Sequence, residues 1–121
     1  MQGIIIKDCI EQNDLLLGLS IFFGGKNLSV GHLDLSINQS EDVLLEASPL
    51  RGDFCIDLCV YSKVVYDIED LSMFICDFFD TLVLISDNDV NPYSWILITK
   101  EGKKGIVSQV PEETDLFLLK K

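Results

Sequence analysis

At 121 residues the chain is long enough for one domain with a real core, and 48% hydrophobic against 24% charged residues excludes a disordered chain. The net charge of −11 makes nucleic acid and anionic membrane poor partners and a basic protein a good one. No apolar run approaches the ~20 residues of a membrane span, and the start, MQGIIIKDC, lacks the features of a signal peptide, so the expected location is the cytoplasm.

Residues 3–7 predict a first strand and residues 11–14 a turn. Residues 15–23, LLLGLSIFF, are a short run rich in β-formers, which predicts a strand buried on both faces. Gly24-Gly25-Lys26-Asn27 then reads as a hairpin turn. It leads into an alternating strand over residues 28–37, with Leu33, Leu35 and Ile37 inward and His32, Asp34 and Ser36 outward. Residues 38–42 are a polar loop, 43–47 a short strand, and 48–53 (SPLRGD) a loop with Pro and Gly at its joints. Residues 54–61 alternate again as a strand.

Residues 67–85, DIEDLSMFICDFFDTLVLI, predict one amphipathic helix. Ile68, Leu71, Phe74, Ile75, Phe78, Phe79, Leu82 and Ile85 share one side at helical spacing, and Phe78 lies at the middle of that arc. Asp67 suits the N-cap, with Glu69 and Asp70 in the first turn. The turn SDNDVNP ends it, residues 93–100 (YSWILITK) form a strand, and the turn at 101–105 leads into another over 106–110. Residues 116–119 form an edge strand or a short helix. Short connections imply antiparallel pairing. The expected fold is α+β, a single domain with a largely antiparallel sheet of six or seven strands and one principal amphipathic helix packed on one face.

Four cysteines stand at positions 9, 55, 59 and 76. Cys55 and Cys59 fall four apart on a strand, about 13 Å, beyond the ~7 Å reach of a disulfide. All four are expected as reduced thiols. His32, the single histidine, and Asp34 share strand parity, the beginning of a base oriented by a carboxylate, but no nucleophile elbow accompanies them. Asp87, Asn88, Asp89 and Asn91 resemble the opening of a calcium loop, yet Pro92 stands where glycine is needed and Ile98 where glutamate is. Cysteine and histidine spacing matches no zinc site, and Gly24-Gly25 opens no phosphate loop. No metal or cofactor is therefore expected.

The remaining feature is electrostatic. Residues 64–99 carry seven acids and no base. Glu69, Asp70, Asp77, Asp80, Asp87 and Asp89 form the tract, and Tyr93 and Trp95 follow with shared strand parity, a pair that suits a place in the core as well as one at the surface. An acidic field that speeds encounter, next to aromatic anchors, is the composition of a protein-binding surface.

In charge, size, missing catalytic set and plan, the chain resembles the small immunity proteins of bacterial contact-dependent inhibition and other polymorphic toxin systems. That resemblance implies a cytoplasmic, non-enzymatic inhibitor whose partner is a cognate toxin domain, often a basic nuclease. An alternative is a nucleic-acid-mimicking inhibitor of a DNA- or RNA-processing enzyme, with carboxylates spaced like phosphates. A small enzyme using His32 is the third reading.

Overall fold

A computed structural model describes residues 2–88, 91–111 and 116–120. In chain order the elements are β1 (Gln2–Ile6), α1 (Gln12–Gly24), β2 (Val30–His32), β3 (Val43–Pro49), β4 (Arg51–Gly52), β5 (Ile56–Ser62), α2 (Ile68–Phe79), β6 (Val83–Ser86), β7 (Ser94–Ile98), β8 (Lys104–Ser108) and β9 (Leu116–Phe117). The fold is α+β. Seven strands form one sheet in the order β2-β3-β5-β1-β6-β7-β8, antiparallel except for the β2–β3 pair, and β4 and β9 make a small parallel pair of their own.

The N-terminal strand lies at the centre of the sheet. Ile4 stands opposite Leu58 and Ile85, and Ile5 opposite Asp57 and Leu84. Three consecutive buried isoleucines suit a strand covered on both faces. On one face Ile4, Ile6, Leu58, Val60, Val83 and Ile98 meet Leu15, Leu19 and Phe23 of α1 and Leu71 and Ile75 of α2. On the other, Ile5 and Leu84 meet Phe54 and Phe117, with Trp95 and Leu97 packed alongside. Phe54, just before β5, and Phe117 and Leu119, after β8, cover this part of the second face. Gly52 allows the close approach, since φ there is +113° and a Cβ would collide with the Phe117 carbonyl.

Several expectations from sequence are corrected here. Residues 15–23 form a helix, not a doubly buried strand, because burying Leu15, Leu19 and Phe23 on one helical stripe satisfies the core while Leu17 and Ile21 remain more than half exposed. Gly24-Gly25-Lys26-Asn27 consequently ends a helix rather than turning a hairpin. Gly25 N–H donates to the Ile21 carbonyl at 3.3 Å, Leu28 N–H to Phe23 at 3.1 Å, and Asn27 takes a positive φ of 61°.

The helix expected over 67–85 is two elements. Asp67 caps it as anticipated, accepting from Glu69 and Asp70 N–H at 2.8 and 3.3 Å. Asp80 then stops it in the left-handed conformation, φ 52°, and the chain re-enters the sheet as β6. Phe78, expected at the centre of the helix-to-sheet contact, is 44% exposed, because Leu71 and Ile75 occupy that position. The long alternating strand over 28–37 shrinks to β2, and Leu35 and Ile37 face solvent. Finally, Cys9 and Cys55 are joined in a disulfide with Cα atoms 5.2 Å apart, leaving Cys59 and Cys76 free. Spacing along one strand excludes a Cys55–Cys59 bridge but says nothing of a partner on a neighbouring connection.

Candidate partner-binding surface

The acids of the tract do not behave alike once folded. The turn after β7 and the first residue of β8 return lysines against α2, so Glu69 pairs with Lys104 at 2.6 Å and Asp80 with Lys100 at 2.9 Å. The Lys100 ammonium, hydrogen-bonded to Asp80, holds that carboxyl below its usual range. Asp87 accepts a hydrogen bond from the Ser94 hydroxyl. Asp70 and Asp77 are exposed and make no ion pair among the described residues. Asp89 lies outside the described residues.

Nor do the acids meet the expected aromatics. α2 covers one face of the sheet, whereas Trp95 packs on the opposite one, 5.9 Å from the Phe117 ring, with its Nε1–H donating to Gln109 Oε1 at 3.1 Å. Tyr93 lies in the turn before β7, its N–H donating to Asn91 Oδ1 at 3.0 Å, and is 39% exposed. Which face Trp95 takes depends on sheet order and chain return. The tract and its aromatics therefore form no continuous surface.

A different surface does join acid and apolar side chains. At the seam between the helices, a Cβ on Gly18 would come within 2.7 Å of the Phe79 ring, so α1 and α2 cross closely there. Phe22 of α1 lies 5.4 Å from Phe74 of α2, and Phe74 stacks on Phe78 at 5.3 Å. Helical spacing puts Ile21 three residues after Gly18 and Leu17 one turn before Ile21, on the outward side of α1, where they are 51% and 58% exposed. The result is an apolar ridge of Leu17, Ile21, Phe22, Phe74 and Phe78. The same spacing puts Asp14 one turn before Gly18, and Asp70 and Asp77 four residues before and three after Phe74, so carboxylates rim the ridge. The Lys26 ammonium sits 5.5 Å from the Phe22 ring centroid at one end. Reading residues 15–23 as a strand hid this half of the surface, because Leu17 and Ile21 were then assigned to the core.

A second polar group lies on the open part of the other sheet face, where β3 and β5 bring together Glu46, Asp57, Cys59 and Tyr61. The Tyr61 hydroxyl donates to Glu46 Oε1 at 3.4 Å. Burial, then the Glu46 charge, raises the Asp57 carboxyl, and burial followed by both carboxylates raises the Cys59 thiol. A thiol so placed stays protonated at neutral pH, the reverse of an activated nucleophile. His32 and Asp34 do not pair either: Asp34 Oδ1 accepts from Ser36 N–H and Oγ, and the His32 carbonyl accepts from Gln39. Among the described residues no three His, Cys, Asp or Glu side chains are grouped to hold a metal, and no helix is long and apolar enough to cross a membrane.

Comparison with family models, with curated proteins and with solved structures returned no match.

Proposed function

We propose that this chain is a non-enzymatic acidic binding protein that neutralises a basic protein partner, in the manner of a cytoplasmic immunity protein acting on a toxin domain. The observation that carries the reading is the apolar ridge of exposed Leu17, Ile21 and Phe78 with half-buried Phe22 and Phe74 between them, bordered by Asp14, Asp70 and Asp77. Apolar side chains that shed water, bordered by three carboxylates with the Lys26 ammonium at one end only, suit a partner whose contact face is apolar at its centre and mainly basic at its edge. A second copy of this chain fits poorly, since it would set like charges against one another. A nucleic-acid mimic draws less support, because two carboxylates of the tract are engaged by lysines. The Cys9–Cys55 bridge weighs against the cytoplasmic part of the proposal, since disulfides persist mainly in oxidising compartments.

The test begins with affinity capture from a strain carrying the flanking genes, followed by mass spectrometry, and continues with the purified partner. A basic partner whose toxicity is relieved by this chain, and whose binding is lost in Leu17→Ser/Ile21→Ser protein of unchanged circular dichroism, is the expected result. Binding that survives the double substitution, or a partner without basic character, refutes the reading.

A further inference from the structure

The Cys9–Cys55 bridge lies where a small molecule can reach it. Cys9 is exposed in the connection between β1 and α1, while Cys55 is half-buried against the main apolar cluster. Together they line a cleft of about 290 Å³, walled also by Ile10, Gln12, Ala47 and Pro49. Among the described residues lining it, none is charged.

We propose that this cleft is a thiol–disulfide exchange site for small thiols of the glutathione class, with Cys9 as the sulfur attacked. The incoming thiolate forms a bond to Cys9 Sγ, the Cys9–Cys55 bond breaks, and Cys55 leaves as a thiolate that takes a proton from water. A second small thiol attacks the small molecule's own sulfur in the mixed disulfide and releases Cys9 as a thiol. Two small thiols are thereby oxidised to their disulfide and one protein disulfide is reduced. Access selects Cys9, since Cys55 is packed against the core. The two free cysteines are poor competitors as internal thiolates: burial pushes Cys76 up to about 11, and Cys59 is also raised.

The exchange alters how α1 is anchored. Its N-cap, Glu11, makes no side-chain hydrogen bond, so the bridge at Cys9 ties the first turn to the sheet. Leu15, Leu19 and Phe23 are buried and hold the remainder of the helix. Reduction thus loosens residues 9–14 and leaves the later turns docked. Asp14 belongs to the rim described above, so the bridge would also tune partner binding, a consequence that rests on the proposed function; the exchange chemistry does not.

Native oxidised protein is incubated with glutathione without denaturant, quenched in acid and mapped by peptide mass spectrometry. Amide hydrogen exchange is measured on the oxidised, reduced and Cys9→Ser proteins. The expected result is glutathione on Cys9 with Cys55 as a free thiol, together with a loss of protection of about tenfold or more at the amides of residues 15–18, which donate to first-turn carbonyls beginning with Leu15 N–H to Glu11, while α2 is unchanged. Cys55→Ser should give the same exchange pattern and replaces Cys9→Ser if that variant folds poorly. Reduction only at denaturant concentrations that unfold the protein, or glutathione recovered on Cys55, overturns the exchange site. Unchanged protection at the amides of residues 15–18 overturns the anchorage. None of these readouts needs a partner, so failure here and failure of the docking surface are separable.

Discussion

Ile75 and Phe78 both belong to the apolar side of α2, yet one is fully buried and the other 44% exposed. Ile75→Ala should cost about 2–5 kcal/mol, as for a filled core position. Phe78→Ala, which loses ring contacts but opens no cavity, should cost less than about 2 kcal/mol. Urea melts of the two variants test the ordering, and equal losses would contradict it. Asp57 supplies a second residue-level test. Its folded-state pKa is raised above the ordinary 3.8, first by burial and then by Glu46. The fold therefore prefers the protonated acid, so the stability tied to this group is fully present below the unfolded value and is lost as pH rises through the folded one. Asp57→Asn should raise the melting temperature at pH 7, with the gain vanishing below the ordinary carboxylate range. Thermal melts across pH read this directly, and a lowered melting temperature at pH 7 would refute it.

Two elements owe their placement to ties that are distant in sequence. The Cys9–Cys55 bridge spans a separation of 46 residues. Loop-closure entropy for that length is worth about 4 kcal/mol, so reductant should lower the melting temperature by on the order of 10 °C or more. Thiol titration of the unfolded, unreduced protein should find Cys59 and Cys76 alone. A melt insensitive to reductant, or four titratable thiols, would mean the bridge does not form. The chain after β8 closes the second sheet face through Phe117, Leu119 and the Trp95 ring. Trp95→Ala should destabilise this layer by about 2–3 kcal/mol, below a fully buried tryptophan. Dissociation of a partner seated on the helix ridge should be unchanged, which surface plasmon resonance on the folded variant will show.

At the scale of the whole molecule, the net charge of −11 makes long-range attraction of a basic partner the dominant effect before contact. Charges at the rim of an interface act chiefly on association, and salt screens them over about 8–10 Å. Reversing Asp14, Asp70 and Asp77 to Lys should slow association at low ionic strength, with the rates converging as salt is added. Stopped-flow measurements across a salt series test this, and an association rate unaltered by the triple reversal would place binding on another face. Reversing Glu69 and Asp80 should also break their pairs with Lys104 and Lys100, so those two variants report on α2 anchorage as well as on steering.

The amino-acid sequence by itself determined the α+β class, the Asp67 cap and most of the sheet. The period-2 alternation of residues 54–61 and the strand-turn-strand pattern after Tyr93 are local signals that burial on a pleated face enforces. Residues 15–23 were ambiguous because a short, wholly apolar run satisfies either period; only the presence of a sheet face to receive Leu15, Leu19 and Phe23 decided for a helix. The same holds for residues 80–85, where helical spacing continues by coincidence past Asp80 into a strand paired with β1. The candidate surface was half legible. Asp70 and Asp77 could be read from helical spacing, but their apolar neighbours Leu17 and Ile21 come from another helix. The neutralising lysines, Lys100 in the turn after β7 and Lys104 at the start of β8, lie 20 and 35 residues further along the chain than the acids they meet. Contacts of that kind are set by how elements are stacked, and no local pattern in the chain encodes them.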